Sequence, residues 1–131
     1  MNAYLRGTVV TDLDMLEDEL LKAEKVLDTE YSFEKAEPNY MRCLEIISQA
    51  EDKRPQIVAL ITALFSSGRV SDEPVAVLMH KLRWLEVKQW AEAELRAMEN
   101  SKVNGRPLEK IIAAFSDDWE NKEFYQLFVS K

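Results

Sequence analysis

The chain of 131 residues has the length of one ordinary domain, and 47% hydrophobic against 31% charged residues is the balance of a globular protein rather than a disordered one. Three glycines and four prolines are too few for the turns of an all-β fold, so we expect one all-α domain over residues 1–131. The net charge of −7 argues against nucleic acid or an anionic membrane as the partner, because phosphate groups bind to clustered basic side chains.

The sequence also bears on the compartment. Cys43 is the single cysteine and has no partner for an internal disulfide, which suits a reducing environment. The first residues lack the basic region and apolar run of a secretory signal. The longest apolar stretch, Ile57–Phe65, is far below the roughly 20 residues of a membrane span. We therefore expect a cytoplasmic protein.

The first helix is predicted to begin after Thr11, which is a good N-cap residue followed by acids in the first turn. Apolar residues then recur at spacings of three and four and mark one buried face: Leu13, Leu16, Leu20, Ala23 and Leu27. Thr29–Glu37 has no such period and ends at Pro38, which suits the first position of a helix. We interpret Thr29–Glu37 as a linker.

The next helices are predicted at Pro38–Ala50 and from Pro55 to a C-terminal glycine, Gly68. Ser71 is then an expected N-cap. The stretch Ser71–Asn100 fits one long helix or two helices joined by a turn at Arg83–Leu85, since its apolar face shifts there.

Two more helices are predicted near the end of the chain. Pro107 begins one of them, and Ser116 caps the other, whose first turn contains Asp117 and Asp118. The total is five to seven helices.

The segments Pro38–Gly68, Ser71–Asn100 and Pro107–Lys131 each have about the size of a helical hairpin. Within the second one, the run from Leu85 to Leu95 has a valine followed by a basic residue and an alanine-rich face. This run resembles the second helix of a HEAT-type repeat. The resemblance implies a short stack of hairpins, and the alternative is an irregular helical bundle.

The sequence offers little catalytic or metal-binding chemistry. His80 and Cys43 are the only residues of their types, and the glycines are isolated, so no zinc cluster or phosphate-binding loop is present. We predict no metal, no cofactor and no enzymatic activity. His80 is expected at a helix surface or boundary, and Trp84 is expected to be half exposed in the turn beside Arg83.

The acidic excess lies in one segment. Ten acids and three bases fall between Asp12 and Glu37, and ten minus three accounts for the whole net charge of −7. On a helical wheel, four residues fall close to one line, namely Glu17, Leu21, Glu24 and Asp28, and Asp14 and Asp18 lie alongside it. We call these six residues the acidic ridge. We expect it to contact a basic partner, with Leu21 filling a pocket. The alternative is a solvated helix face whose leucine covers a neighbouring helix.

The predicted linker extends this surface with acidic and aromatic residues, namely Glu30, Tyr31, Phe33 and Glu34. The alternative for the two aromatic side chains is packing against the domain. A second aromatic group near the end of the chain is expected in the core, or at an oligomer or partner interface if it is exposed: Phe115, Trp119, Phe124, Tyr125 and Phe128.

These features favour a small acidic binding protein. Antitoxins and immunity proteins, which neutralise a basic toxin, resemble the chain in charge and in missing catalytic groups, although no motif carries that resemblance. The first alternative is a structural or adaptor module within a homo-oligomer or a larger assembly. The second is a small enzyme that depends on carboxylates, which a deep pocket lined by two or more acids would favour.

Overall fold

The computed structural model of the chain describes residues 9–98 and 105–129. Within these ranges the protein has no β-strand, and the predicted all-α fold with five to seven helices is confirmed. The six α-helices are α1 (Asp12–Glu30), α2 (Glu37–Ser48), α3 (Arg54–Ser66), α4 (Asp72–Leu82), α5 (Leu85–Ala97) and α6 (Arg106–Ala113). The 3₁₀ turns are Phe33–Ala36, Glu51–Lys53, Glu120–Phe124 and Gln126–Phe128.

The start of α1 is as predicted. The hydroxyl of Thr11 accepts from the backbone N–H of Asp14 at 3.1 Å, and the Asp14 carboxylate accepts from the Thr11 N–H at 3.1 Å. This reciprocal capping box satisfies two backbone donors that the first helical turn would otherwise leave unpaired. The sequence does not predict the conformation of residues 1–10, and all of these but residues 9 and 10 lie outside the described residues, as does Asn100.

The linker predicted at Thr29–Glu37 is wrong for most of its length. Helix α1 continues to Glu30, and only Tyr31 and Ser32 separate it from a 3₁₀ turn that leads directly into α2. The turn has a tertiary cause, because Ala36 is completely buried in a core cluster with Tyr40 and Tyr125. The burial of Ala36 therefore stabilises the 3₁₀ turn, although the sequence of this stretch lacks helical periodicity.

The stretch from Ser71 to Ala97 contains two helices, so the second of the two predicted alternatives is confirmed. Arg83 breaks the helix with a left-handed φ of 55°. Its guanidinium donates to the carbonyl oxygens of His80 at 2.6 Å and Phe115 at 3.1 Å. These charge-assisted bonds offset the strain of a left-handed conformation in a non-glycine residue.

Trp84, directly after the break, is buried rather than half exposed. The guanidinium of Arg54 lies 4.5 Å from the ring centroid and makes two bonds, of 2.7 and 2.8 Å, with the carboxylate of Glu86. The arginine therefore covers the indole, which sequence reasoning about a short turn could not reveal.

The helices pack as an irregular bundle. Helix α1 packs most closely on α2, whereas α6 packs on both α4 and α5. The helices of the predicted hairpins, α2 with α3 and α4 with α5, are not among the closely packed pairs. The packing therefore does not fit the HEAT-like stack. The buried side chains form a main cluster that includes Leu16, Leu20 and Ile61, and a second cluster around Tyr40 and Tyr125.

The helix predicted after Ser116 is wrong. The Ser116 hydroxyl donates to the carboxylate of Asp118, and the chain continues as two 3₁₀ turns. Its backbone is held from elsewhere, because the Glu37 carboxylate accepts from the N–H groups of Gln126 at 3.0 Å and Leu127 at 2.6 Å. Backbone donors bound to a distant carboxylate are not available for an α-helix.

Candidate functional site

The acidic ridge begins with carboxylates that are engaged within the chain. Asp14 belongs to the capping box of α1. Glu17 pairs with Arg69 at 3.2 Å, and Asp18 pairs with Lys22 one turn further along the helix at 3.1 Å. These ion pairs are largely exposed and weak, yet each places a positive charge where the predicted partner would have to supply one.

The centre of the acidic ridge faces the neighbouring helices. Leu21 is partly buried and packs against the main core cluster. Oε1 of Glu24 accepts from both the backbone N–H and the hydroxyl of Ser71, at 3.0 and 2.8 Å. Ser71 does precede α4 as predicted, but its side chain makes no cap bond to the helix and binds Glu24 instead. At Leu21 and Glu24 this face of α1 therefore packs on neighbouring elements, which is the alternative to partner binding that the sequence also allows.

Glu19 is an internal carboxylate that sequence reasoning missed. It is 9% exposed and accepts from Asn39 and Arg42 on α2, each at 3.0 Å. Its spacing from Leu16 and Ala23 places it on the apolar face of α1, and this was the available signal. A carboxylate on a buried helix face needs donors from the helix that packs against it.

The remaining predicted residues are exposed at the C-terminal end of α1 and in the 3₁₀ turn after it. We call this set the aromatic–acidic surface: Asp28, Glu30, Tyr31, Phe33 and Glu34. Tyr31 is 88% exposed and Phe33 is 40% exposed. None of the three acids has an ion pair within the described part of the chain.

Phe33 extends the aromatic–acidic surface toward the end of the chain. Its ring lies 5.4 Å from that of Phe124, centroid to centroid, and Phe124 is 48% exposed. The predicted C-terminal aromatic group is thus divided, since Trp119 and Tyr125 are buried in the core while Phe124 joins the surface. Sequence alone gave no signal for this pairing, because the two phenylalanines are far apart in the chain.

A cavity of about 480 Å³ opens beside Phe33. It lies between α4, α6 and the C-terminal 3₁₀ turns. Its lining contains two aromatic rings, three acids, one base and small or polar residues: Phe33, Trp119, Glu73, Asp118, Glu120, Lys110, Ala76, Ala113, Ser116 and Asn121. Sequence reasoning did not identify this cavity.

Glu73 forms the buried part of the cavity wall. It is 5% exposed, and its carboxylate accepts from the hydroxyl of Tyr125 and, at 2.9 Å, from the amide of Asn121. Burial raises the pKa of Glu73, while these two hydrogen bonds act against that rise. Burial and the charge of Glu73 also raise the pKa of Tyr125. The hydroxyl of Tyr40 is buried in the same cluster with no well-formed hydrogen bond to the described residues.

His80 lies in the same region. It is in the last turn of α4, as expected for a helix boundary, but the prediction of a surface position is wrong. It is 8% exposed and packs against the rings of Trp119 and Phe128, with centroids at 5.0 and 4.7 Å. Its Nδ1 lies 2.7 Å from the carbonyl oxygen of Ala114, which can only accept, so Nδ1 carries a proton. Burial lowers the pKa of His80 below its usual value.

Three further observations bear on function. In residues 9–98 and 105–129, no group of three or more His, Cys, Asp or Glu side chains is placed to hold a metal ion. No helix in these ranges is long and apolar enough to cross a membrane. Comparison of the chain with protein-family models, curated proteins and solved structures found no match.

Proposed function

We propose that this protein is a non-enzymatic binding protein whose aromatic–acidic surface docks a basic partner protein. An inhibitor that neutralises a basic toxin, as immunity proteins and antitoxins do, is the class that the charge favours. The proposal moves the expected contact from the acidic ridge to the C-terminal end of α1, because Glu17, Leu21 and Glu24 make contacts within the chain.

The observation that carries the proposal is the conformation and exposure of Tyr31. Its φ of 55° is left-handed, and for a residue other than glycine or asparagine this costs on the order of 1 kcal/mol. The residue is 88% exposed, so packing within the described chain does not offset that cost. Tyrosine is also among the residues that contribute most to protein interfaces. A strained and exposed aromatic residue among acids is consistent with a role in binding.

The charges around Tyr31 define the partner. Asp28, Glu30 and Glu34 are exposed. Lys35, directly after Glu34, is the one base in residues 28–35. Such a field attracts a positively charged surface and accelerates association with it. We therefore expect a basic protein whose binding rate falls as the salt concentration rises.

The proposal is tested by replacing Tyr31 with asparagine. Tyr31→Asn keeps a residue that tolerates the left-handed conformation while it removes the ring. We expect unchanged or slightly higher stability and loss of the partner in affinity capture from the native host, followed by mass spectrometry. Leu85→Ala is the matched control, since Leu85 is 59% exposed and lies on α5.

Charge is tested separately with the purified partner. The triple variant Asp28→Asn, Glu30→Gln, Glu34→Gln should slow association and make it less dependent on salt. Its control neutralises three exposed acids elsewhere, namely Glu45, Glu94 and Glu109. Equal effects in both triple variants, a captured partner that is acidic, or capture that Tyr31→Asn leaves intact would contradict the proposal. Self-association in light scattering as the sole interaction would support the adaptor alternative.

One observation favours the enzymatic alternative as a second candidate. Glu73 and Asp118 both line the cavity, and their pKa values move in opposite directions: burial raises that of Glu73, and the hydrogen bond from Ser116 lowers that of Asp118. Such divergence is typical of acid and base pairs in hydrolases. Hydrolysis of chromogenic glycosides or esters that is lost in both Glu73→Gln and Asp118→Asn would support this candidate.

A further inference from the structure

The cavity adjoins the aromatic–acidic surface through Phe33, which belongs to both. The rings of Phe33 and Trp119 and the methyl groups of Ala76 and Ala113 form its apolar lining. Trp119 is 7% exposed and packs on His80, which restrains its indole ring. The apolar part of an occupant would therefore meet an aromatic wall that is already in place.

The polar part of the lining is also pre-organised by hydrogen bonds within the protein. Glu73 is 5% exposed, and Tyr125 and Asn121 both donate to its carboxylate. Two donors hold its oxygens in position, and each carboxylate oxygen has a further lone pair that can accept from a ligand. The carboxylate is therefore both positioned and able to take another donor.

The charges of the lining decide which ligand fits. Glu73, Asp118 and Glu120 are acids and Lys110 is the one base among the lining residues, which gives −2 when Glu73 is ionised. A cation gains from this charge and from the faces of the aromatic rings. An anion would be repelled, and an apolar ligand would make no use of Glu73.

We propose that this cavity binds a lysine or arginine side chain of the basic partner. The aliphatic stem lies along the rings of Trp119 and Phe33, and the cationic group reaches the carboxylates. This inference rests on the proposed function for the identity of the occupant. Its chemistry, selective binding of an alkyl cation, can be measured on the isolated protein without the partner.

The test is a titration of the ¹⁵N-labelled protein with agmatine and n-butylammonium, followed by NMR. We expect both cations to shift the indole N–H of Trp119 and the side-chain amide of Asn121, with millimolar dissociation constants. Butan-1-ol, which has the same stem and no charge, should bind about fivefold more weakly, and butyrate should not bind.

Variants at the rim of the cavity give effects of opposite sign. The double variant Asp118→Asn, Glu120→Gln should weaken cation binding about fivefold, and Lys110→Gln should strengthen it about twofold. All three side chains are exposed, so these variants are expected to fold. Glu109→Gln, beside Lys110 on α6 but outside the lining, is the matched control and should change nothing.

Equal binding of butan-1-ol, tighter binding of butyrate, or an unchanged Trp119 signal would overturn this inference. If no cation enters the cavity while Tyr31→Asn still abolishes capture of the partner, this inference fails and the proposed function stands. If cations bind as expected while Tyr31→Asn captures the same partner, the proposed function is overturned together with the assigned occupant, and the cation selectivity of the cavity stands.

Discussion

Glu24 and Asp28 lie one turn apart on α1 and carry the same charge, yet their surroundings differ completely. Glu24 accepts two hydrogen bonds from Ser71 and so connects α1 to the start of α4. Asp28 is exposed and has no ion pair among the described residues. At Glu24, α1 is bound to the start of α4, whereas its last residues, Asp28, Thr29 and Glu30, are exposed.

The same contrast separates the internal carboxylates from the aromatic–acidic surface. Glu19, Glu24, Glu37 and Glu73 each bind donors on another element of the fold. A carboxylate with several well-placed donors stabilises a fold, whereas an unpaired one on the surface is available to a partner. Negative charge in the sequence therefore serves two purposes here, and exposure distinguishes them.

The largest expected effect is at Glu73. Glu73→Ala would leave the hydroxyl of Tyr125 buried without an acceptor and should lower the free energy of unfolding by about 3 kcal/mol. Glu73→Gln keeps an acceptor oxygen and should cost about 1 kcal/mol. Urea unfolding of both variants measures the difference. A loss below about 1 kcal/mol in the alanine variant would mean that this carboxylate does not hold the C-terminal turns.

A smaller effect compares the two acids directly. Glu24→Ala removes the acceptor for Ser71 at the start of α4 and should cost about 1–2 kcal/mol. Asp28→Ala should change the unfolding free energy by less than about 0.5 kcal/mol. The two variants share helix, charge and replacement, so each is the control for the other. Equal losses would contradict the distinction between these two positions of α1.

The smallest expected effect is the dependence of stability on pH at His80. Its pKa is lowered in the folded protein, so the unfolded chain takes up the proton first as the pH falls through about 6.5. Stability from this residue is complete above that pH and is lost below it. The raised pKa of Glu73 acts in the opposite direction, since its contribution is lost as the pH rises.

His80→Asn isolates this contribution, because an amide can donate to Ala114 but does not titrate. Thermal unfolding at pH 7.5 and 5.5 should show a smaller difference for the variant than for the parent protein. Parallel measurements on Glu73→Gln separate the contribution of the Glu73 carboxyl to the pH dependence from that of the His80 imidazole. An identical difference in the parent and His80→Asn proteins would contradict this contribution of His80.

The features that were predictable from sequence depend on neighbours in the chain. Thr11 and Asp14 are three residues apart, and their capping box follows from that spacing. The role of Glu24 was not predictable, because its partner Ser71 is 47 residues away. Ser116 shows the same limit, since a good local cap signal was overridden by contacts of the following residues with Glu37 and Glu73.

The candidate site was partly predictable for the same reason. The exposure of Tyr31 and Phe33 agrees with the irregular, acidic stretch in which they lie. The cavity depends on how α4 and α6 approach each other, and none of the local patterns encodes that approach. Pairing of Phe33 with Phe124 belongs to the same class of long-range contact.

The bonds from Gln126 and Leu127 to Glu37 have a consequence for folding. In the chain, Glu37 is 89 positions from Gln126 and 90 positions from Leu127. Tyr125 completes the second core cluster, which contains Ala36 and Tyr40. While the chain is synthesised, α1 and α2 leave the ribosome with that cluster still open. Tyr40 is fully buried only after the aromatic residues that follow α6 have been synthesised. Folding of the nascent chain therefore depends on the contacts that form last, and its final step is slow.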